Sequence, residues 1–154
     1  MKVDTYIEQK AGGSIMTLRL NPYIILDGNA KEAIRFYEQV LGAETVMIQT
    51  FGEMPANPDF PLPESAKDRI SHALLKVGGS ELMFSDTFPG QPVQSSNQVQ
   101  ICIISQSADH SKRIFEALQE GGKVGMPLQE TFWSPAYGIL TDKYGVTWNI
   151  STES

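Results

Sequence analysis

The chain contains almost no cysteine: Cys102 is the only one among 154 residues. An intramolecular disulfide and a zinc site built from cysteines are therefore excluded, and a reducing compartment, the cytoplasm, is the simplest expectation. No apolar run approaches the roughly 18 residues that a membrane span requires, and the first residues lack the apolar core of a signal peptide. We therefore expect neither a membrane-embedded protein nor a disulfide-stabilised secreted one.

Basic residues are also sparse and scattered. The chain has 12 Lys and Arg against 18 Asp and Glu, which gives a net charge of −6. Nucleic-acid binding is not expected, because neutralising a phosphate backbone requires clustered positive charge. The acidity is compatible with a cationic small ligand, although a modest negative charge more often serves only solubility.

The residues that are present have the composition of one folded domain, 41% hydrophobic and 19% charged. Apolar periodicity and turn residues predict a strand, a helix and three strands, and the same order again after a Pro/Gly/Ser linker at 88–96. The predicted elements of the first half are 17–26, 30–41 (helix), 44–51, 69–77 and 81–85, and those of the second half are 98–104, 108–120 (helix), 123–129, 137–141 and 146–151.

The two predicted helices also match each other in sequence. An offset of 78 residues aligns three identical pairs, namely Ala30 with Ala108, Arg35 with Arg113 and Glu38 with Glu116. Together with the repeated element order, this match favours an internal duplication. We expect a single domain at 17–154 with modules at 17–87 and 97–151. The stretch 1–16 is then an N-terminal extension, whether a cloning remnant, the product of an upstream start or an extra edge strand.

Several motifs in a fixed order resemble one protein family. They are AIRFYEQVLGAE at 33–44, GEMP at 52–55, ISHALLKVGGSELMFSD at 70–86, QETFW at 129–133 and LTDKYGVTWNI at 140–150. Together they closely resemble the PhnB-like branch of the glyoxalase/bleomycin-resistance/dioxygenase (vicinal-oxygen-chelate) superfamily. The resemblance implies an α+β fold of two βαβββ modules, with curled mixed sheets around a central cavity and helices outside, commonly as a homodimer.

The resemblance also implies a chemistry. Enzymes of this superfamily typically place His, Gln or Glu ligands around one divalent metal, which chelates vicinal oxygens of the substrate and stabilises an enediolate, or activates a nucleophile or O₂. Some members of the branch carry a ubiquinone-methyltransferase label. Nothing in this chain supports that label, because no Gly-rich loop between a strand and a helix is available to hold a methyl-donor nucleotide.

The metal-ligand positions implied by the resemblance are poorly filled in this chain. The first falls on Pro22, which has no donor atom, and the others fall on Gln98 or Gln100, on Glu81 and on Asn149. Because an amide oxygen is a weaker ligand than an imidazole, we favour no metal. If one divalent ion binds, its expected ligands are Glu81, Gln100 and Asn149.

Strand alternation predicts which side chains face the cavity. Apolar residues such as Leu82, Phe84, Trp148 and Ile150 suit the face under the helices, so their neighbours point to the opposite, concave face. The expected inner wall is polar with one carboxylate, and its residues are Glu81, Met83, Ser85, Gln98, Gln100, Cys102, Thr147 and Asn149.

Three further residues, and Cys102 of the inner wall, are candidates for a particular role in the pocket. His72 faces either the pocket or a subunit interface. Cys102 is a nucleophile or, with no neighbour in sequence to lower its pKa, an inert thiol. Trp133 stacks on a ligand at the cavity mouth or fills a dimer interface. Glu130, in the same loop, would pair with Glu81 for acid–base chemistry. The Pro-rich stretch 52–67 is a surface loop that either covers the cavity or is a simple insertion.

Three functions remain open from the sequence. The favoured one is a PhnB-like small-molecule binding protein with a degenerate metal site. The alternative is a metal-dependent lyase, isomerase or dioxygenase that acts on vicinal oxygens with Glu81, Gln100, Asn149 and His72. A protein retained only for interactions with other proteins is the third, and it predicts a filled cavity.

Overall fold

The computed structural model describes residues 9–11 and 14–154, with side chains from Thr17 onward. Its strands and helices follow one another as β1 (Gln9–Ala11), β2 (Ser14–Met16), β3 (Tyr23–Leu26), α1 (Ala30–Leu41), β4 (Glu44–Thr50), β5 (Ile70–Val77), β6 (Ser80–Asp86), β7 (Ile101–Ser105), α2 (Ala108–Leu118), β8 (Lys123–Gln129), β9 (Tyr137–Thr141) and β10 (Thr147–Thr152). Two 3₁₀ turns, Phe51–Glu53 and Glu64–Ala66, flank the Pro-rich loop.

The two modules have the same sheet topology. The first sheet has the order β3-β6-β5-β4 and the second has the order β7-β10-β9-β8. In each module the first strand runs parallel to the last one, and the other neighbours are antiparallel. This confirms the predicted α+β fold of two βαβββ modules with mixed sheets, neither of which closes into a barrel.

The N-terminal extension contributes a separate hairpin. β1 and β2 pair with each other in an antiparallel register, and neither joins a four-stranded sheet. Residues 1–8 and 12–13 of the predicted extension lie outside the described residues.

Helix α1 has the predicted bounds because its sequence carries both a buried stripe and its own end signals. Gly42 ends the helix with φ = 64°, a left-handed conformation that favours glycine. At the other end the Asp86 carboxylate accepts hydrogen bonds from the backbone N–H groups of Gly28 (2.8 Å) and Ala30 (3.0 Å), where a negative charge is favourable. The buried side chains at three- and four-residue spacing are Ala30, Ala33, Ile34 and Tyr37.

The core lies between the helices and the sheets and is continuous across both modules. Tyr37 of α1 stacks on Phe84 of β6 with 5.6 Å between ring centroids, and its ring lies 5.7 Å from that of Trp148. Tyr37 and Trp148 both donate hydrogen bonds to the buried carboxylate of Asp142. Trp148 and Ile150 are fully buried on the helix side of β10, as strand alternation predicts.

Two predicted strands begin too early. β3 starts at Tyr23 because Pro22 has no N–H for a strand ladder, and the residues before it lie outside the sheet, with Leu20 97% exposed. β7 starts at Ile101, opposite Trp148 near the start of β10, and Val99, which lies within the predicted strand 98–104, is 83% exposed. The apolar alternation in the sequence therefore extends beyond the residues that pair with a neighbouring strand.

Candidate ligand-binding site

A cavity of about 910 Å³ lies where the two modules meet, and we call it the inter-module cavity. Its first-module wall comes from residues 19–22 ahead of β3, the β5–β6 turn at 77–80 and the start of β6. Its second-module wall comes from β7, the first turns of α2 and Trp148. The volume falls within the roughly 300–1,000 Å³ typical of small-molecule sites. The open space disagrees with the filled cavity that a purely interaction-based role predicts.

Glu81 is the only carboxylate among the described residues that line this cavity. Its Oε2 accepts a hydrogen bond from Nη2 of Arg19 at 2.9 Å and lies 3.5 Å from Nδ2 of Asn21. The Glu81 side chain is 23% exposed and that of Arg19 is 68% exposed. The carboxylate is therefore half-buried and already paired with a positive charge.

Cys102 also lines the cavity, from β7. Partial burial raises the pKa of its thiol above the usual value, and the only hydrogen bond recorded for Sγ is a long contact of 3.9 Å to its neighbour's carbonyl oxygen. A raised pKa keeps the thiol neutral near pH 7, and a neutral thiol is a weak nucleophile. These features favour a cavity-lining thiol over a catalytic one.

Each sheet also has an open face, which we define as the face opposite its helix. On the first open face the Tyr23 hydroxyl and His72 Nδ1 are 2.9 Å apart, with 5.6 Å between ring centroids. Met83 lies on β6, between the strands β3 and β5 that carry Tyr23 and His72. It is opposite Tyr23 in the register and is partly exposed. Ser85 is partly exposed too, but its hydroxyl donates to the carbonyl oxygen of Asp86 at 2.8 Å.

The second open face carries a chain of amide hydrogen bonds. Tyr137 donates to Asn149 Oδ1, Asn149 Nδ2 donates to Gln100 Oε1 at 2.5 Å, and Gln100 Nε2 donates to the carbonyl oxygen of Asn97 at 3.1 Å. Trp133 packs edge-on against Tyr137 at 5.3 Å and remains half exposed. Both amide side chains are therefore occupied within the protein, and they tie the end of the inter-module linker to β10.

The predicted site residues therefore fall into separate places. Glu81 and Cys102 line the inter-module cavity, and His72, Met83, Ser85, Gln100 and Asn149 lie on the two open faces. Thr147 is buried against Thr141, with 2.9 Å between hydroxyls. Gln98 and Glu130 are exposed outside the strands, and Trp133 lies in the same loop as Glu130.

Arg19, Asn21 and His110 line the cavity but were not among the predicted site residues. The sequence alone gives no signal for the first two, because their place beside Glu81 depends on the strand register. In the observed register Tyr23 lies opposite Met83 on the parallel neighbour strand, so Asn21 falls next to Glu81 two residues earlier. His110 lies in the first turn of a helix on its polar face, which by itself indicates no role, and only the packing of α2 beside β7 brings that turn to the cavity.

The implied metal ligands do not fit a chelate site. Glu81 is bound to Arg19, while Gln100 and Asn149 are bound to each other. The last strands of the two modules, β6 and β10, can be aligned by their pairing with the first strand of each module. In this alignment Asn149 occupies the place of Met83, and Glu81 occupies the place of the buried Thr147. Within the described part of the chain, no group of three or more His, Cys, Asp and Glu side chains is placed to hold a metal ion.

No helix among the described residues is both long and apolar enough to cross a membrane.

The fold and the cavity define a two-module βαβββ protein with a small-molecule-sized site between its halves. Residues 19–150 match the family model for the glyoxalase/bleomycin resistance protein/dioxygenase superfamily. The chain belongs to this superfamily, which confirms the resemblance seen in its motifs.

The most informative comparisons with individual proteins agree with this membership. Protein YjdN of Escherichia coli (strain K12) is 36% identical over 141 residues, which cover 86% of this chain and 93% of that protein. The crystal structure of PA1353 from Pseudomonas aeruginosa is 39% identical, has a TM-score of 0.79, and covers 89% of this chain and 98% of its own. A PhnB protein from Bacillus cereus, 23% identical, has the same fold with a TM-score of 0.72 over 88% of this chain and 99% of its own.

Proposed function

We propose that this chain is a PhnB-like, cytoplasmic small-molecule binding protein that uses the inter-module cavity and needs no metal. The observation that carries the proposal is the cavity of about 910 Å³ with Glu81 as its single described carboxylate. Side chains such as Ile101, Ile103 and Ile114 supply an apolar wall, and the Arg19–Glu81 pair supplies one polar end. This combination suits a small, mostly apolar molecule with one polar group.

The domain at 17–154 with modules at 17–87 and 97–151 is the unit that we propose to bind. Both modules contribute to the cavity wall, so neither module alone would make the site. The open faces carry His72, Met83, Ser85, Gln100, Asn149 and Trp133, and we propose that they add contacts for larger ligands at the cavity mouth.

A screen of small amphiphilic compounds by ligand-observed NMR tests this proposal. Hits should lose their signal with Ile103→Trp, which fills the cavity, and bind about tenfold or more weakly to Glu81→Gln, because their polar group loses a charged partner. Glu116→Gln, an exposed carboxylate on α2, is the matched control and should leave binding unchanged. Hits that bind equally well to all three variants would show that the cavity is not the site.

We also propose a homodimer. β3 and β7 each have a neighbour on one side only, and several apolar side chains of the open faces are exposed, including Ile25, Met47 and Ile104. Unpaired edges next to exposed apolar side chains are typical of surfaces that another chain covers. Light scattering coupled to gel filtration should give twice the 17.0 kDa chain mass; a mass that stays at one chain at high concentration would contradict the dimer.

The second candidate is a metal-dependent lyase, isomerase or dioxygenase of this superfamily. The observation that favours it is Glu81, a half-buried carboxylate at a cavity wall. Metal content measured by mass spectrometry, after incubation with Ni²⁺, Mn²⁺, Zn²⁺ and Fe²⁺, distinguishes the two candidates. Near one equivalent of a single metal, lost in Glu81→Gln, would overturn the metal-free candidate and make a screen for lyase, isomerase or dioxygenase activity the next step.

A further inference from the structure

Arg19 is paired with Glu81, the carboxylate that a metal ion at this site would need as a free ligand. Its Nη2 is 2.9 Å from Glu81 Oε2, and Asn21 Nδ2 approaches the same oxygen at 3.5 Å. Two donors therefore converge on one carboxylate oxygen from the segment that leads into β3. The Glu81 side chain is the more buried member of the ion pair, with 23% exposed against 68% for Arg19.

This arrangement competes with a divalent cation for the same atom. A metal ion binds a carboxylate oxygen at about 2.0–2.6 Å, so Arg19 would have to leave Oε2 before an ion could enter. The guanidinium carries a positive charge and repels an incoming cation as long as it remains nearby. Among the described residues, the cavity wall offers no second carboxylate to offset that repulsion.

The other potential ligands do not compensate. Gln100 and Asn149 are held by each other, by Tyr137 and by the carbonyl oxygen of Asn97. Their release would break three internal hydrogen bonds for two amide oxygens, which are weak metal ligands. Glu81 is thus the one strong metal ligand of the three, and its carboxylate is already paired with the positive charge of Arg19.

We propose that Arg19 is the built-in counter-cation of Glu81 and that it excludes divalent metal ions from this site. Arg19 is then a specificity-determining residue: it supplies internally the positive charge that an ion would bring. Arg19 lines the cavity and its side chain is 68% exposed, so its remaining N–H donors are accessible to a ligand oxygen. The inference rests on the metal-free function proposed above: a lack of gain in Arg19→Gln would refute the role of Arg19 alone, whereas tight binding by the wild-type chain would refute both.

Mn²⁺ alone is the probe, titrated at low ionic strength and followed by the electron paramagnetic resonance signal of the free ion. Four variants are compared with the wild-type chain: Arg19→Gln, Arg19→Lys, the double change Arg19→Gln with Glu81→Gln, and Arg35→Gln as a matched control. Arg35 lies on α1, is exposed and is not part of the cavity wall. Its removal changes the net charge by the same amount as that of Arg19. Circular dichroism checks that every variant is folded.

We expect weak binding to the wild-type chain and a roughly tenfold or larger gain in Mn²⁺ affinity for Arg19→Gln, since an ion pair and a repulsion are removed together. The gain should vanish in the double variant and be small in Arg19→Lys, which keeps the charge. Three results would overturn the proposal: tight binding by the wild-type chain, no gain in Arg19→Gln, or an equal gain in Arg35→Gln.

Discussion

The two tryptophans of the chain provide a direct test of which strand face is buried. Trp148 is 1% exposed and packs against Tyr37 under the helices, whereas Trp133 is 53% exposed in the loop before β9. Replacing each with alanine removes the same atoms from opposite environments. The comparison therefore isolates burial from the chemistry of the substitution.

The magnitude for Trp148→Ala follows from area and from one hydrogen bond. A buried tryptophan removes up to about 200 Å² from water, which at about 25 cal/mol per Å² gives an upper value near 5 kcal/mol. Observed costs of such truncations are about 3–5 kcal/mol. The indole N–H also donates to Asp142 at 2.8 Å, and the loss of this donor to a buried carboxylate places the expected cost in the upper part of that range. We expect a loss of about 4–5 kcal/mol, against less than about 1 kcal/mol for Trp133→Ala.

Urea unfolding followed by far-UV circular dichroism measures both variants without relying on tryptophan fluorescence. Protein concentration must be held constant, because stability depends on it if the chain is a dimer. Since about 4–5 kcal/mol is a large part of a typical total, Trp148→Phe is the milder second variant and should lose roughly half as much. A loss below about 1.5 kcal/mol for Trp148→Ala, or equal losses for the two tryptophans, would refute the assignment of the buried face.

Three other predictions concern single positions. In the same urea assay, Gly122→Ala should lower the free energy of unfolding by more than about 2 kcal/mol, because a Cβ there would lie 2.2 Å from the carbonyl oxygen of Thr141. Gly79→Ala is the control: its Cβ would meet nothing within 4 Å, so its stability should stay within about 1 kcal/mol of wild type. Alkylation of Cys102 by iodoacetamide should rise with pH to a midpoint above 9.0, the ordinary pKa of the thiol, since partial burial raises this pKa; a midpoint below 9.0 would contradict the shift. Burial and the Glu32 carboxylate raise the pKa of Tyr144 from 10.0 to about 12. Because the unfolded chain then loses its proton first, stability should fall between pH 10 and 12, and it should fall less in Tyr144→Phe; equal slopes would contradict the shift.

Local signals in the sequence predicted the bounds of those helices and strands that have a glycine or turn residue close to their ends. The helix at 30–41 and the strands at 123–129 and 137–141 have the predicted bounds, since glycines and turn residues close to them fix where pairing or coiling stops. Apolar alternation alone was not sufficient at Leu20 and Val99, because a strand continues only as far as its neighbour offers hydrogen bonds. That neighbour is set by tertiary pairing, which no local pattern contains.

The candidate site was harder to predict for the same reason. Alternation placed Glu81 and Asn149 on the faces opposite the helices, but it carries no information on how far apart two sheets hold their side chains. The ion pair of Glu81 with Arg19 joins residues 62 positions apart, and the amide pair of Gln100 with Asn149 joins residues 49 apart. Such contacts follow from strand register and loop path, so they become visible only in three dimensions.

A comparison of corresponding positions in the two modules shows that one face of the sheets is more alike between the modules than the other. On the helix side, Phe84 and Ile150 occupy corresponding places and are both fully buried and apolar. On the open side, Met83 corresponds to Asn149, and the cavity carboxylate Glu81 corresponds to a buried threonine. Packing constrains the first face in both copies, because any polar group there must find a partner. The second face is constrained only by what binds to it. Neither Glu81 nor Asn149 therefore has an equivalent side chain in the other module, since Thr147 and Met83 occupy the corresponding places.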